Sequence, residues 1–197
     1  MRNGEQTREN ILRQAAELFN RQGFAGASLS DIMSATGLQK GGIYRHFESK
    51  EALALEAFDY AVRRMGERLA EALAGRAHAV DRLRAVIAVY GEIPENPPVP
   101  GGCPVMNAAI ENDHGNPALR ERACRAMDGL RGLIRRNVRD GITRGEVRPG
   151  TDPEEVATVL VSTLEGAVML SQLYGDPEHV GRATRHLEWY LEESVRA

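Results

Sequence analysis

Asn116-Pro117, Asp152-Pro153 and Asp176-Pro177 repeat one piece of helix-start grammar, and that repetition constrains this chain more than any other feature. An Asx side chain caps the first free N–H groups, and the proline after it gives up a donor that has no helical partner there anyway. Helices are therefore predicted from Ala118 to about Asp140, from Pro153 to Leu173 and from Pro177 to Val195. Five of the nine prolines lie between Glu92 and Pro104, which forbids a regular helix and makes that stretch the main loop. Val80 to Tyr90 precedes the loop as a periodic segment closed by Gly91, and a short helix from Cys103 to Asn112 follows it.

The first seventy residues are punctuated more tightly. Ile11, Leu12, Ala15, Leu18 and Phe19 fall at helical spacing, so a first helix runs from Thr7 to Gln22, stopped by Gly23. Ser28 followed by Asp31 is a capping-box pair opening a short helix that ends near Thr36-Gly37. Another short helix spans Gln39 to His46, and Ser49 caps a longer one running to Leu69 or beyond. No strand pattern or repeat is present. The fold class is all-α, with about nine helices.

Composition narrows the class further. The two cysteines, Cys103 and Cys124, are too few for a disulfide scaffold and fit a reducing compartment. The N-terminal residues are polar, unlike a secretory signal, and the longest apolar stretch, Val156 to Leu170, carries Ser162, Thr163 and Glu165. A soluble, cytoplasmic protein with no membrane partner is expected. Net charge is −3, but residues 1–50 hold seven basic and five acidic side chains, and both lysines, Lys40 and Lys50, lie there. A locally basic end on an acidic chain points to a compact anionic partner.

Two short helices joined by a tight glycine turn in that basic end are what a helix-turn-helix requires. Leu29 to Thr36 would brace the phosphate backbone, Gly37-Leu38 would turn, and Gln39 to His46 would enter the major groove. Ile32, Leu38, Ile43 and Phe47 would lock the pair onto the first helix, leaving Gln39, Lys40, Tyr44, Arg45 and His46 outward. The same hairpin also occurs in plain helical bundles. Its wording is more specific. Ser28-Leu29-Ser30-Asp31-Ile32, Thr36-Gly37-Leu38 and Gly42-Ile43-Tyr44-Arg45-His46-Phe47-Glu48-Ser49-Lys50 closely resemble the TetR family of bacterial transcriptional regulators over about residues 7–55.

The resemblance implies a homodimer with residues 1–50 as helix-turn-helix DNA-binding domain and residues 51–197 as ligand-binding and dimerisation domain. By position, Tyr44 and Lys50 match the family's phosphate contacts, and Gln39–His46 its recognition helix. Ser28 and Ser30 are further phosphate donors, Lys40 is the best reader of guanine, and Arg45 a weaker one. Gly41 and Gly42 cost about 1 kcal/mol each inside a helix, which makes sense if backbone must approach DNA closely. Met33, Thr36 and Gln39 depart from the commoner small residues of the family pattern.

In the last two helices, Val159, Thr163, Gly166, Ala167 and Leu170, with Leu187, Tyr190 and Leu191, are the candidate dimer interface. Glu111-x-x-His114 has half of a di-iron spacing, but no second Glu-x-x-His exists, so neither metal nor cofactor is expected. No Gly-rich phosphate loop, zinc-protease motif or nucleophile elbow supports an enzyme. The run Gly102-Cys103-Pro104-Val105-x-Asn107 through Glu111 resembles a branch of the family that includes electrophile-sensing repressors. Three readings follow. One is a repressor released from a pseudo-palindromic double-stranded DNA operator by a small-molecule effector. Another is a repressor switched by covalent modification of Cys103. The third is a helical enzyme or ligand-carrying module without DNA binding.

Overall fold

The computed structural model describes residues 2–111 and 116–197. Nine α-helices occur among them, in the order α1 (Arg2–Gln22), α2 (Leu29–Thr36), α3 (Lys40–Tyr44), α4 (Lys50–Leu73), α5 (Ala79–Gly91), α6 (Pro104–Glu111), α7 (Pro117–Arg144), α8 (Pro153–Tyr174) and α9 (Glu178–Tyr190). The chain packs as two compact units: Met1–Met65 with Pro98–Cys124, and Gly66–Pro97 with Arg125–Ala197. These are units of packing. The sequence reading expects a boundary at residue 50, whereas packing carries the first unit on to Met65 and adds Pro98–Cys124 to it.

Most helix starts lie where the caps put them, because caps are local. Ser28 accepts the Asp31 N–H at 3.2 Å while Asp31 accepts the Ser28 N–H at 2.7 Å, which closes the expected capping box. Asp152 accepts the Glu154 N–H at 2.9 Å, and Asn116 accepts that of Ala118 at 3.0 Å. Boundaries shift where no cap was available to read. Helix α1 begins at Arg2 rather than Thr7, and α7 continues to Arg144 rather than Asp140. The last predicted helix, Pro177–Val195, is really α9 followed by a π-helical turn over Leu191–Val195. There the Arg196 N–H reaches back to the Leu191 carbonyl at 2.8 Å, and Arg196 pairs with Val147 as an isolated antiparallel bridge.

In the first unit, Ile11, Ala15 and Phe19 of α1, Ile32 of α2, Ile43 of α3, Phe47 and Leu53 are all at most 3% exposed and share one core. Burying each of the larger side chains contributes roughly 1.5–3 kcal/mol. Leu38 packs against this core while remaining half-buried. The lock expected from Ile32, Leu38, Ile43 and Phe47 is therefore present.

In the second unit, α5, α8 and α9 pack on one another around Leu83, Val86, Ile87, Leu160, Leu164, Val168, Val180 and Leu187. Leu187 and Leu191 are fully buried within the chain, so their assignment to a dimer surface is corrected: both belong to the protomer's own core. Ala167 is 6% exposed, largely covered within the protomer. Helix α8 is long and apolar enough to cross a membrane, yet Glu165 at its middle is buried and accepts a hydrogen bond from the Tyr90 hydroxyl at 3.2 Å.

Candidate nucleic-acid interface

Helix α2 ends on Gly37, whose φ of +70° is the left-handed conformation that glycine adopts without strain. After Leu38 and Gln39, α3 begins. Gln39 is its N-cap, but the Gln39 side chain makes no capping hydrogen bond. It stays exposed, as do Lys40, Gly41, Tyr44 and Arg45, while Ile43 points inward and is 1% exposed. One polar face is thus presented outward by a five-residue helix held through a single apolar anchor.

The structure makes α3 shorter than predicted. It ends at Tyr44 rather than His46, and the Arg45 N–H turns to the Gly41 and Ile43 carbonyls. His46 N–H bonds the Ile43 carbonyl at 3.0 Å, a tightened last turn that brings Phe47 into the core. His46 is consequently half-buried and sits at the rim of the outward face. Phe47 is covered by the Arg8 guanidinium, 4.9 Å from the ring centre, and Arg8 is also ion-paired with Glu56.

Lys50 opens α4, directly after Ser49, whose hydroxyl accepts the Ala52 N–H at 3.0 Å. A cation therefore stands at a helix start whose Ala52 N–H is capped by Ser49 and whose Glu51 N–H is met by its own carboxylate. Two carboxylates nearby are held below their ordinary range. The Ser28 hydroxyl and backbone N–H hold the Asp31 carboxyl below its usual range, with a smaller contribution from Lys50. Glu51 is lowered first by its own backbone N–H and then by Ser49.

Ser30 is exposed on the first turn of α2, where a phosphate donor is useful. Ser28, also exposed, donates its hydroxyl proton to Asp31 at 2.6 Å within the capping box.

Cys103 is 2% exposed, and its carbonyl accepts the Asn107 N–H at 3.0 Å at the start of α6. Cys124 is exposed on α7. His114, the second member of the Glu-x-x-His spacing, lies outside the described residues. Glu111 is committed elsewhere: its carboxylate accepts the N–H groups of Phe24 and Ala25 at 2.8 and 2.7 Å. Sequence reasoning missed this contact and a second one, from the Asn107 amide to Asn20. Their signal in the sequence is the run Gly102 to Glu111, in which Cys103 is the more conspicuous residue.

The chain matches known proteins along nearly all of its length. Residues 11–57 match the family model described as bacterial regulatory proteins, tetR family, and residues 79–187 match that described as tetracyclin repressor-like, C-terminal domain. A TetR transcriptional regulator from Chloroflexus aurantiacus J-10-fl is 50% identical, with a TM-score of 0.96 over 100% of this chain and 99% of that one. A TetR-family regulator from Cytophaga hutchinsonii is 30% identical, with a TM-score of 0.88 over 99% and 97%. The HTH-type transcriptional repressor DhaR of Mycobacterium sp. (strain GP1) is 25% identical over 166 residues, 82% of this chain and 80% of that one.

Proposed function

Because the chain belongs to the TetR family of bacterial transcriptional regulators, we propose that it is a homodimeric repressor released from a pseudo-palindromic operator by a small-molecule effector. The supporting observation is the division of α3 into a buried Ile43 and an exposed face of Gln39, Lys40, Gly41, Tyr44 and Arg45. Gly42, Ser30, Lys50 and the rim residue His46 extend that face. In this reading Ser30, Tyr44 and Lys50 hold phosphates, while Lys40 and Arg45 reach base edges. Two copies related by a two-fold axis place their α3 helices about 34–36 Å apart, one turn of duplex.

The second copy is received by the outward faces of α8 and α9. Met169, Leu173 and Trp189 are exposed large apolar residues there, and Val159, Thr163, Gly166, Leu170 and Tyr190 are half-buried beside them. Apolar groups exposed in one protomer and gathered on two adjacent helices fit a self-complementary patch. The effector-binding part is residues 51–197, and the effector acts by favouring a conformation whose α3 spacing no longer fits the operator.

Selection of duplexes from a random pool, followed by footprinting, tests the proposal. A repeated half-site in opposed orientation, occupied by two chains and lost steeply with salt, is the expected result. A parent protein that enriches no duplex, or binds as one chain to a single half-site, would defeat it.

A further inference from the structure

The stretch Gly101 to Glu111 supplies none of the residues assigned above to DNA, yet it carries a dense set of long-range polar contacts within the first unit. We propose that Asn107 and Glu111 are positioning residues for DNA binding: they clamp α6 to the end of α1 and to the α1–α2 turn, so that the position of α6 sets the attitude of the reading helices. The proposal rests on the reading of α2 and α3 as the DNA-binding pair.

Asn107 and Glu111 are four residues apart, on one face of α6 and about 6 Å along its axis. The Asn107 amide donates to the Asn20 carbonyl at 3.0 Å, to the Asn20 side-chain oxygen at 2.9 Å and to the Gly101 carbonyl at 2.8 Å. Asn20, itself 8% exposed, donates in turn to the Pro100 and Gly102 carbonyls at 3.0 and 3.1 Å. No side chain fits at Gly101. Its φ is +110°, and a Cβ there would lie 2.7 Å from the Asn20 carbonyl. Backbone is thus pressed on backbone, and the loop end, α6 and the last turn of α1 form one knot.

One helical turn further on, Glu111 presents both carboxylate oxygens to successive N–H groups of the α1–α2 turn. Gly23, with φ of +80°, leaves the room: a Cβ there would stand 3.0 Å from each oxygen. These are charge-assisted bonds with fixed direction, unlike an apolar contact that can slide. The turn has little slack. Gly23 N–H bonds the Phe19 carbonyl at 2.9 Å, Ala27 N–H bonds the Gly23 carbonyl at 3.1 Å, and the Ser28–Asp31 box follows at once. A displacement of the Glu111 carboxylate is therefore delivered to the N-cap of α2, and through Gly37 to α3. The segment that bears the clamp leaves the second unit at Pro98 and returns to it at Arg125, so movement in the second unit has a covalent route to it.

The test uses the full-length variants Glu111→Gln and Asn107→Ala with a duplex enriched by the parent. Glu111→Gln keeps the shape but turns an NH2 group toward one of the two N–H donors. Cooperative melting by circular dichroism establishes that each variant folds, and Asn107→Ala carries the test if Glu111→Gln does not. Operator affinity should fall roughly tenfold, because the competent arrangement is less populated. In Asn107→Ala, which alters no charge, base preference and the salt dependence should not change, since no DNA contact has been removed. Amide exchange over residues 24–37 should quicken. Folded variants with unchanged exchange there and affinity within about twofold of the parent would overturn the clamp. A parent that binds no duplex would defeat the preceding reading instead, and the exchange rates alone would then decide whether the clamp holds the turn.

Discussion

The Lys40 ammonium stands 5.8 Å from the centre of the Tyr44 ring, so two side chains proposed to contact DNA meet each other across one turn of α3. An exposed cation–π contact of this kind contributes about 0.5–1 kcal/mol. It holds Lys40 over the face of α3 instead of letting it range through solvent, which lowers the ordering cost on binding.

That contact separates the roles of three residues. Lys50→Ala should weaken all duplexes about equally and lower the slope of log affinity against log salt by about one. Lys40→Ala should also relax base preference. Tyr44→Phe keeps the ring under Lys40 and loses only the phosphate donor, so its base preference should be retained. Affinity measured across salt concentrations on matched and mismatched duplexes checks all three. A Lys50→Ala protein with the parent's slope would remove Lys50 from the phosphate contacts.

The fold has no evident need for glycine at 41. A Cβ there would meet nothing within 4 Å, and one at Gly42 would make only ordinary contact with the Leu38 side chain at 3.5 Å. Gly41→Ala should therefore stabilise the free protein, by up to about 1 kcal/mol, through helix propensity. Position 41 is exposed, so the same methyl should obstruct close approach to the groove and weaken operator binding. A thermal melt and a binding isotherm on one variant give both answers. Gain in both stability and affinity would show that the DNA does not approach the backbone there.

Capping decided what could be read from the sequence. The Ser28–Asp31 box, Gly37 and Asp152-Pro153 act within four residues, so their effects were legible without any knowledge of packing. Tertiary packing decided the rest. The Asn20–Asn107 and Glu111–Phe24 contacts join residues more than eighty positions apart, and nothing local in Asn107 or Glu111 announces their partners. Leu187 and Leu191 share an apolar stripe with Tyr190, which stays half-buried, and periodicity cannot tell a core stripe from an interface stripe. The π-turn runs into the bridge of Arg196 with Val147, a pairing outside the helical pattern altogether.

The outward face of α8 and α9 gives a prediction on assembly. Leu173 is 70% exposed and Trp189 58% exposed in the protomer, so a charge at either costs the isolated chain little. Leu173→Glu and Trp189→Glu should keep the helical circular dichroism signal and shift sedimentation from two chains to one. DNA binding should weaken along with it, since a single half-site remains per particle. Retention of the parent's sedimentation by both variants would place the interface elsewhere.

The two thiols should differ in access. Cys124 is exposed and Cys103 is 2% exposed. A thiol reagent under native conditions should label Cys124 promptly, and Cys103 only at the rate at which the structure opens around it. Mass spectrometry of peptides after timed labelling distinguishes them. Prompt labelling of Cys103 that also releases the protein from DNA, in the parent and not in Cys103→Ser, would favour the covalent switch over a non-covalent effector.

Glu146 sets a prediction for acid. Its carboxylate accepts two bonds from Arg144, at 3.0 and 2.9 Å, and the otherwise free Ala79 N–H at the start of α5, at 2.7 Å. The Arg144 bonds, followed by the Ala79 N–H, push its pKa down to about 2 from the ordinary 4.5. A carboxyl with a depressed folded value binds its proton more readily in the unfolded chain. Its contribution is therefore complete above 4.5, declines as pH falls toward about 2, and is absent below that. Glu146→Gln cannot ionise and lacks this dependence. The stability difference between parent and variant, measured by urea unfolding at a series of pH values, should be constant near neutrality and narrow steadily through that acid window. A difference that stays unchanged down to the lower limit would mean that the ionised carboxylate does not hold α5 to the end of α7.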